Sequence, residues 1–317
     1  METCLVAGGG GFIGSHLCES LLDENFRVIC VDNFITGDKS NIKHLSLNKN
    51  FLLIEDDIIK RKEYDIAKTN YIFHLASPAS PNLKSKKSYI NFPLETLLVN
   101  SLGTYNLLEV ALKSNAKFLY TSTSEVYGDP AISPQTETYF GNVNPNGIRS
   151  PYDESKRFGE SITMTYFRKF NLDSRIIRIF NTYGPRMQKD DGRVVSNFIN
   201  QALENRPITI YGDGAQTRSF CFVSDMVEGI KRAMFNEETS GEVINLGNPT
   251  EKSILDFAKL IIQLTQSSSE LLFEELPQDD PKKRNPDITK AKKILNWEPK
   301  IELEKGIVKT IQYYKEL

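Results

Sequence analysis

A strand-length apolar run, TCLVA, leads without a spacer into GGGGFIG, and a helix-like segment follows at once. Gly8, Gly11 and Gly14 there make G-x-x-G-x-x-G. Few features restrict a fold more. A turn free of Cβ atoms lets backbone approach a pyrophosphate, and the N–H groups that open the next helix point at it. Phe12 and Ile13 stand at the junction of loop and helix. The next apolar run ends at Asp32, followed by Asn33. A carboxylate at that place accepts hydrogen bonds from both ribose hydroxyls and repels a 2′-phosphate. The pattern predicts a bound dinucleotide, NAD rather than NADP.

The first half of the chain keeps the same rhythm. Apolar runs at Thr3 to Ala7, Arg27 to Val31, Phe51 to Ile54, Tyr71 to Leu75, Lys117 to Thr121 and Arg175 to Phe180 predict strands. Phe12 to Asp23, Leu94 to Lys113 and Ser150 to about Phe170 predict helices. The Ser150 hydroxyl is expected to cap the last of these, with Pro151 in its first turn and Asp153 and Glu154 at its positive end. Beyond Phe180 the spacing is irregular: Val194 to Leu203, Val223 to Phe235, Ile254 to Leu264 and Leu303 to Tyr314 look helical, Ile208 to Tyr211 and Val243 to Leu246 extended. The expected class is α/β, a Rossmann-like doubly wound parallel sheet over residues 1–180 that 215–250 rejoin. A smaller, mainly C-terminal substrate-binding lobe is expected from 181–214 and 251–317.

Charge excludes some partners. With 39 Lys plus Arg against 41 Asp plus Glu, the net charge of -2 offers no global attraction for nucleic acid or an anionic membrane. No apolar stretch is long enough to span a bilayer, and Met1 leads almost directly into the first strand, so a cytosolic location is expected. Cys4, Cys18, Cys30 and Cys221 lack metal or C-x-x-C spacing and are expected to be buried free thiols. Lys282, Lys283 and Arg284 form a short basic run that suits either a solvated face or a phosphate contact.

The chemistry gathers in the middle of the chain. Tyr152 and Lys156 form Y-x-x-x-K, one helical turn apart on one face. A nearby ammonium favours phenolate, so Tyr152 can take a proton from a sugar hydroxyl while hydride leaves the same carbon. The hydroxyl-rich run TSTSEVYGDP begins where the fifth strand meets the ligand edge of the sheet. In it Thr123 can hydrogen-bond the reacting oxygen, while Ser124 and Glu125 add a donor and a carboxylate. Leu75, Ala76 and Ser77 follow the fourth strand onto that edge. Asp57 and Ile58 are placed to meet adenine, although Asp56 and Asp57 also suit a solvated loop. Asn100, inside an apolar helix, is either a satisfied core amide or part of the site network.

Here a resemblance becomes specific. GGGGFIGSHL, HLASPASP, STSEVYGDP, YDESKR, RIFNTYGPRM, DGRVVSNFI, QTRSF and DDPKKRNPDI, spread over nearly the whole chain, resemble the extended short-chain dehydrogenase/reductases and, within them, the UDP-glucuronate decarboxylase branch. The resemblance implies NAD-dependent conversion of UDP-glucuronate to UDP-xylose and CO2: oxidation at C4, loss of the C5 carboxylate, and re-reduction at C4 by the retained cofactor. It implies neither metal nor pyridoxal, and a homodimer built on Leu94 to Lys113 and Ser150 to Phe170. It implies Tyr152 as the C4 base, Lys156 as its partner and ribose contact, Thr123 as the accompanying hydroxyl, and Glu125 as an acid/base carboxylate beside Ser124. Arg218 resembles the arginine that reaches the diphosphate and acidic sugar, and Asn181, Arg186, Arg193, Tyr211 and Arg284 resemble UDP contacts. Related dehydratases carry Asp-Glu where this chain has Ser124-Glu125; a serine there suits loss of CO2 better than loss of water. Ser150-Pro151 before the tyrosine departs from the small or varied residues expected there. A UDP-sugar 4-epimerase and a non-enzymatic NAD-binding regulator are the competing expectations.

Overall fold

In a computed structural model, which describes residues 1–60, 69–83, 85–275 and 284–317, strand and helix alternate from the start. The order is β1 (Thr3–Ala7), α1 (Phe12–Asp23), β2 (Arg27–Asp32), β3 (Phe51–Glu55), β4 (Tyr71–His74), α2 (Pro93–Leu98), α3 (Thr104–Ser114), β5 (Lys117–Thr123), α4 (Ser150–Phe170) and β6 (Ser174–Ile179). There follow β7 (Thr182–Tyr183), α5 (Val194–Leu203), β8 (Ile208–Tyr211), β9 (Thr217–Ser219), β10 (Cys221–Phe222), α6 (Val223–Phe235) and β11 (Val243–Leu246). The chain ends with β12 (Glu251–Ser253), α7 (Ile254–Thr265), β13 (Leu271–Glu274), α8 (Thr289–Leu295) and α9 (Leu303–Lys315).

Among the described residues seven strands form one parallel sheet in the order β3-β2-β1-β4-β5-β6-β11. The fold is thus α/β and Rossmann-like. The chain runs outward from β1 through β2 to β3, then returns to the other side of β1 at β4. Loops leaving β1 and β4 therefore diverge, and the crevice between them is where such sheets take ligands.

Every residue of β1 is buried, as a strand covered on both faces requires. On one face Leu17, Cys18, Leu21 and Leu22 of α1 join Met226, Ile230 and Ala233 of α6 in a single core with Cys4, Val6 and Val28. On the other, Leu107, Leu108 and Ala111 of α3 and Tyr166 of α4 enclose Leu5, Phe118 and Tyr120. Each large aliphatic or aromatic side chain removed from water contributes about 1.5–3 kcal/mol. The C-terminal part is tied down by polar bonds: Trp297 Nε1 donates to Asp225 O (2.9 Å), and the Asp225 carboxylate accepts from Lys300 N and Ile301 N.

Two expectations need correction. The helix read over Leu94 to Lys113 is interrupted by a π turn, Val99–Gly103, between α2 and α3. The wider turn contains Asn100, whose amide bonds across to neighbouring segments. Ser150 does not cap α4: Arg149 occupies the cap position without a side-chain bond, and Ser150 is already helical, with Pro151 in the first turn as expected. Three two-stranded sheets, β7 with β10, β8 with β13 and β9 with β12, lie outside the main one. All four cysteines are buried and free. No helix among the described residues is long and apolar enough to cross a membrane.

Candidate active site

The glycine turn is shaped by close backbone approach. Gly8 has φ +82°, and a Cβ there would lie 2.6 Å from Ala76 N. A Cβ on Gly14 would run into Gly8 O, so only glycine lets α1 rest on the turn. Helix α1 begins at Phe12 after Gly11, which offers no side-chain cap. The first-turn N–H groups, those of Phe12 and Ile13 among them, have no acceptor within the helix.

At the end of β2, Asp32 holds the turn from the other side. Its two carboxylate oxygens accept from Gly10 N and Phe34 N, each at 2.8 Å. Burial pushes this carboxyl up, and the two backbone donors oppose the shift. A cleft of about 540 Å³ opens here, lined by Gly8, Gly11, Asp32, Asn33, Asp57, Leu75, Ala76 and Ser77. Ile35, Gly37, Ile59, Pro78 and Val99 line it too, residues that the sequence did not single out. The Ile58 side chain is elsewhere, buried in the core near Gly103. Asn100 connects the cleft to α4: its Nδ2 donates to Ser77 Oγ (2.9 Å), Thr96 O (3.0 Å) and Ser155 Oγ (3.1 Å). A carboxylate at the end of β2, a turn without Cβ atoms and a helix N-terminus around one cleft fit an adenine dinucleotide.

Helix α4 and the end of β5 bring Thr123, Tyr152 and Lys156 together. The Thr123 hydroxyl lies near enough to Tyr152 to favour its ionised form, and the Tyr152 ring stacks on Tyr89 with centroids 4.8 Å apart. Lys156 Nζ donates to Thr121 O at 2.7 Å and sits 5.9 Å from the Tyr152 ring centre. The resting charges differ from expectation. Burial pushes Tyr152 up to about 12; Thr123 and Arg193 pull it down, while the charges of Glu125 and Asp153 push it further up. Lys156 is itself lowered to about 7 by burial, partly offset by Glu160. Tyr152 therefore rests as a phenol, chiefly because its own hydroxyl is buried, and Lys156 is a less firmly charged neighbour than the sequence suggested.

Beside the phenol lies a cluster assembled from distant segments. Glu125, in the 3₁₀ turn Ser124–Tyr127 after β5, pairs with Arg149 and with Arg284, whose Nε and Nη2 donate to it at 3.3 and 3.1 Å. Arg284 also donates to Gly128 O. Burial pushes the Glu125 carboxyl up, but Arg284 and Arg149 together outweigh it and hold the group well below the usual carboxylate range. Held as an anion, Glu125 can accept a proton, and must be loaded with one before it can donate. Arg284, expected to contact UDP, is buried against Glu125. Ser124 is buried next to it.

The remaining implied contacts are dispersed. Arg193 pairs with Asp191 (Nε to Oδ1, 2.6 Å) within electrostatic reach of Tyr152. Arg218 lies on β9, with Nη1 donating to Thr217 O (2.9 Å). Tyr211 closes β8 beside Glu274 of β13, and the Asn181 carbonyl accepts from Cys221 N. Arg186, at φ +66°, is turned to α1, where Glu19 Oε2 accepts from it at 2.6 Å and His44 is a further neighbour. Its guanidinium is thus not gathered with the Glu125 cluster. Lys282 and Lys283 lie outside the described residues. Sequence reasoning missed Tyr89, Arg149 and the site membership of Asp153. Only Arg149 had a readable signal, its place three residues before Tyr152 at a helix start.

Residues 4–247 match the model of the NAD dependent epimerase/dehydratase family. The chain is 50% identical over 312 residues to UDP-glucuronic acid decarboxylase 4 of Arabidopsis thaliana, covering 98% of this chain and 68% of that one. It is 48% identical to UDP-glucuronic acid decarboxylase 1 of Xenopus tropicalis, covering 98% of this chain and 72% of the relative. Among solved structures, UDP-glucuronic acid 4-epimerase from Bacillus cereus, in complex with UDP-glucuronic acid and NAD, superposes with a TM-score of 0.86 at 31% identity, covering 99% of each chain.

Proposed function

The chain belongs to the NAD dependent epimerase/dehydratase family, and on that premise we propose that it converts UDP-glucuronate to UDP-xylose and CO2. One observation carries the proposal: a tyrosine and threonine suited to oxidising a sugar hydroxyl stand beside a guanidinium cluster suited to an acidic substituent. Identity to UDP-glucuronic acid decarboxylases along nearly the whole chain favours decarboxylation over epimerisation.

Gly8, Gly11, Phe12, Ile13, Gly14, Asp32, Asn33, Asp57 and the run Leu75 to Ser77 hold NAD, with Asn100 supporting Ser77 and the backbone near Ile58 meeting adenine. Bound NAD would supply reversible hydride-transfer chemistry for C4 and, when oxidised, a positive charge. Resting as a phenol, Tyr152 first gives its proton to solvent, a loss that the positive charge of a bound oxidised nicotinamide would favour; as phenolate it takes the C4 hydroxyl proton, steadied by Thr123, while Lys156 holds the ribose. The C5 carboxylate then lies β to a carbonyl. As the C5–carboxylate bond breaks, its electron pair moves into the enolate, whose oxygen is met by the Tyr152 and Thr123 hydroxyls. A proton adds at C5, Tyr152 returns its proton to O4, and the balance consumes one proton for each CO2 released. Arg149 and Arg284 neutralise Glu125 and draw the substrate's acid, while Ser124, Asn181, Arg193, Tyr211 and Arg218 position the UDP-sugar in a lobe formed by 181–214 and 251–317.

Exposed Leu94, Leu97, Leu102 and Phe158 on α2, the π turn and α4 favour pairing of two copies through these helices, and four buried thiols suit the cytosol. Incubation with UDP-glucuronate tests the main proposal: equimolar CO2 and UDP-xylose without accumulating NADH are expected. Recovery of UDP-galacturonate with its carboxylate intact would overturn it in favour of epimerisation.

A further inference from the structure

Asp153 follows the reactive tyrosine and was read from sequence as a helix-start charge. The fold places it differently. It is 6% exposed, and its Oδ1 is fully buried with no hydrogen-bond partner among the described residues. Around it stand charges from three segments: Glu125 from the turn after β5, Arg149 and Glu154 from the start of α4, and Arg284 from the segment before α8. Tyr89, from the loop before α2, and Tyr152 also face it.

We propose that Asp153 is the positioning residue of the Glu125–Arg149–Arg284 cluster: as a neutral acid it leaves the two guanidiniums to Glu125 and the substrate's carboxylate, and as a carboxylate it competes with both. The inference rests on the proposed substrate. Its charge arithmetic is simple. With Asp153 neutral, two arginines and Glu125 leave one positive charge, which an incoming carboxylate cancels; with Asp153 ionised the cluster is already neutral. An ionised carboxylate whose Oδ1 is buried and unpaired is costly to maintain. Burial first, then the Glu125 charge, raises this carboxyl to about 8, against the opposing pull of Arg149 and Arg284. The switch therefore falls just above neutrality, and substrate binding above it takes up a proton.

Equilibrium binding to NAD-loaded Tyr152→Phe protein, which holds substrate without turning it over, reads the effect. Between about pH 7 and about pH 9 the Kd for UDP-glucuronate is expected to rise about tenfold. UDP-xylose, with the same nucleotide and no carboxylate, should shift less than about twofold over the same range. Adding Asp153→Asn should flatten the UDP-glucuronate profile. A tenfold rise that survives in the Asn variant, or an equal rise for UDP-xylose, overturns the proposal. If the Asn variant does not fold, difference infrared spectra of the unsubstituted protein decide: a protonated carboxyl band lost across that interval supports Asp153, and its absence overturns the role. Failure to release CO2 from UDP-glucuronate would count against the substrate assignment alone, since the infrared titration needs no turnover.

Discussion

The two ends of the site are built by opposite means. At the nucleotide end, Gly8, Gly11 and Gly14 lie on one short loop, and Asp32 reaches it from the adjacent strand through backbone bonds. At the sugar end, Glu125, the α4 start with Arg149 and Asp153, and Arg284 come from three separate segments and are held by charge. The first depends on what cannot be added, a Cβ; the second on what cannot be removed, a countercharge. Local geometry makes one end recognisable from a few letters of sequence, whereas the other exists only once the chain is folded.

Substitutions can separate the two ends. Tyr152→Phe removes the ionisable oxygen and keeps the ring stacked on Tyr89, so turnover should fall about 100-fold to 10,000-fold with NAD affinity little changed. Single-turnover NADH absorbance beside cofactor titration checks this; parallel loss of NAD binding would show that the ends are not separable. Glu125→Gln frees two guanidiniums from their common anion. Turnover should drop about 100-fold, while UDP-glucuronate binds as well as before or tighter, because the cluster gains positive charge. Much weaker binding with normal conversion of bound substrate would make Glu125 a binding residue.

Gly14→Ala is the matching test at the nucleotide end. Its methyl group meets the Gly8 carbonyl, so stability should fall by about 1–3 kcal/mol in denaturant melts, with NAD affinity falling alongside. An unchanged melt would mean that the turn tolerates the group. The smallest effect is expected from Asp32→Asn. Losing one charge near the ribose should shift the NAD to NADP preference by about fivefold, the order of a solvated pair interaction. Competitive binding of the two cofactors measures it, and an unmoved ratio would assign selectivity elsewhere.

Legibility followed the same division. β1, α1, α4, α5, β8, α6 and β11 begin and end where apolar periodicity and turn residues place them, since each is long or buried enough to impose its own pattern. The short pairs β7–β10 and β9–β12 were unreadable because two or three residues carry no period and their partners are remote. The π turn at Asn100 escaped because the five residues Val99–Gly103 are too few to show a period of their own. In the site, Tyr152, Lys156 and Thr123 were visible through spacing and strand position. Arg149 was marked by no more than its spacing from Tyr152, whereas Asp153 resembled an ordinary helix-start charge, and only burial reveals otherwise. The resting state of Tyr152 was misread for the same reason: desolvation of both members of Y-x-x-x-K is a property of the packed molecule.

The distance along the chain between Glu125 and Arg284, 159 residues, also has a consequence during synthesis. The glycine turn and the strands that brace it leave the ribosome early, so a growing chain can assemble a nucleotide cleft while most of its sugar end is still untranslated. Glu125 then has only Arg149 to answer it. Until Arg284 is made, this acid has only part of its countercharge, and burying it is less favourable. The Glu125–Arg284 pair thus ties completion of the sugar end to the arrival of the segment before α8.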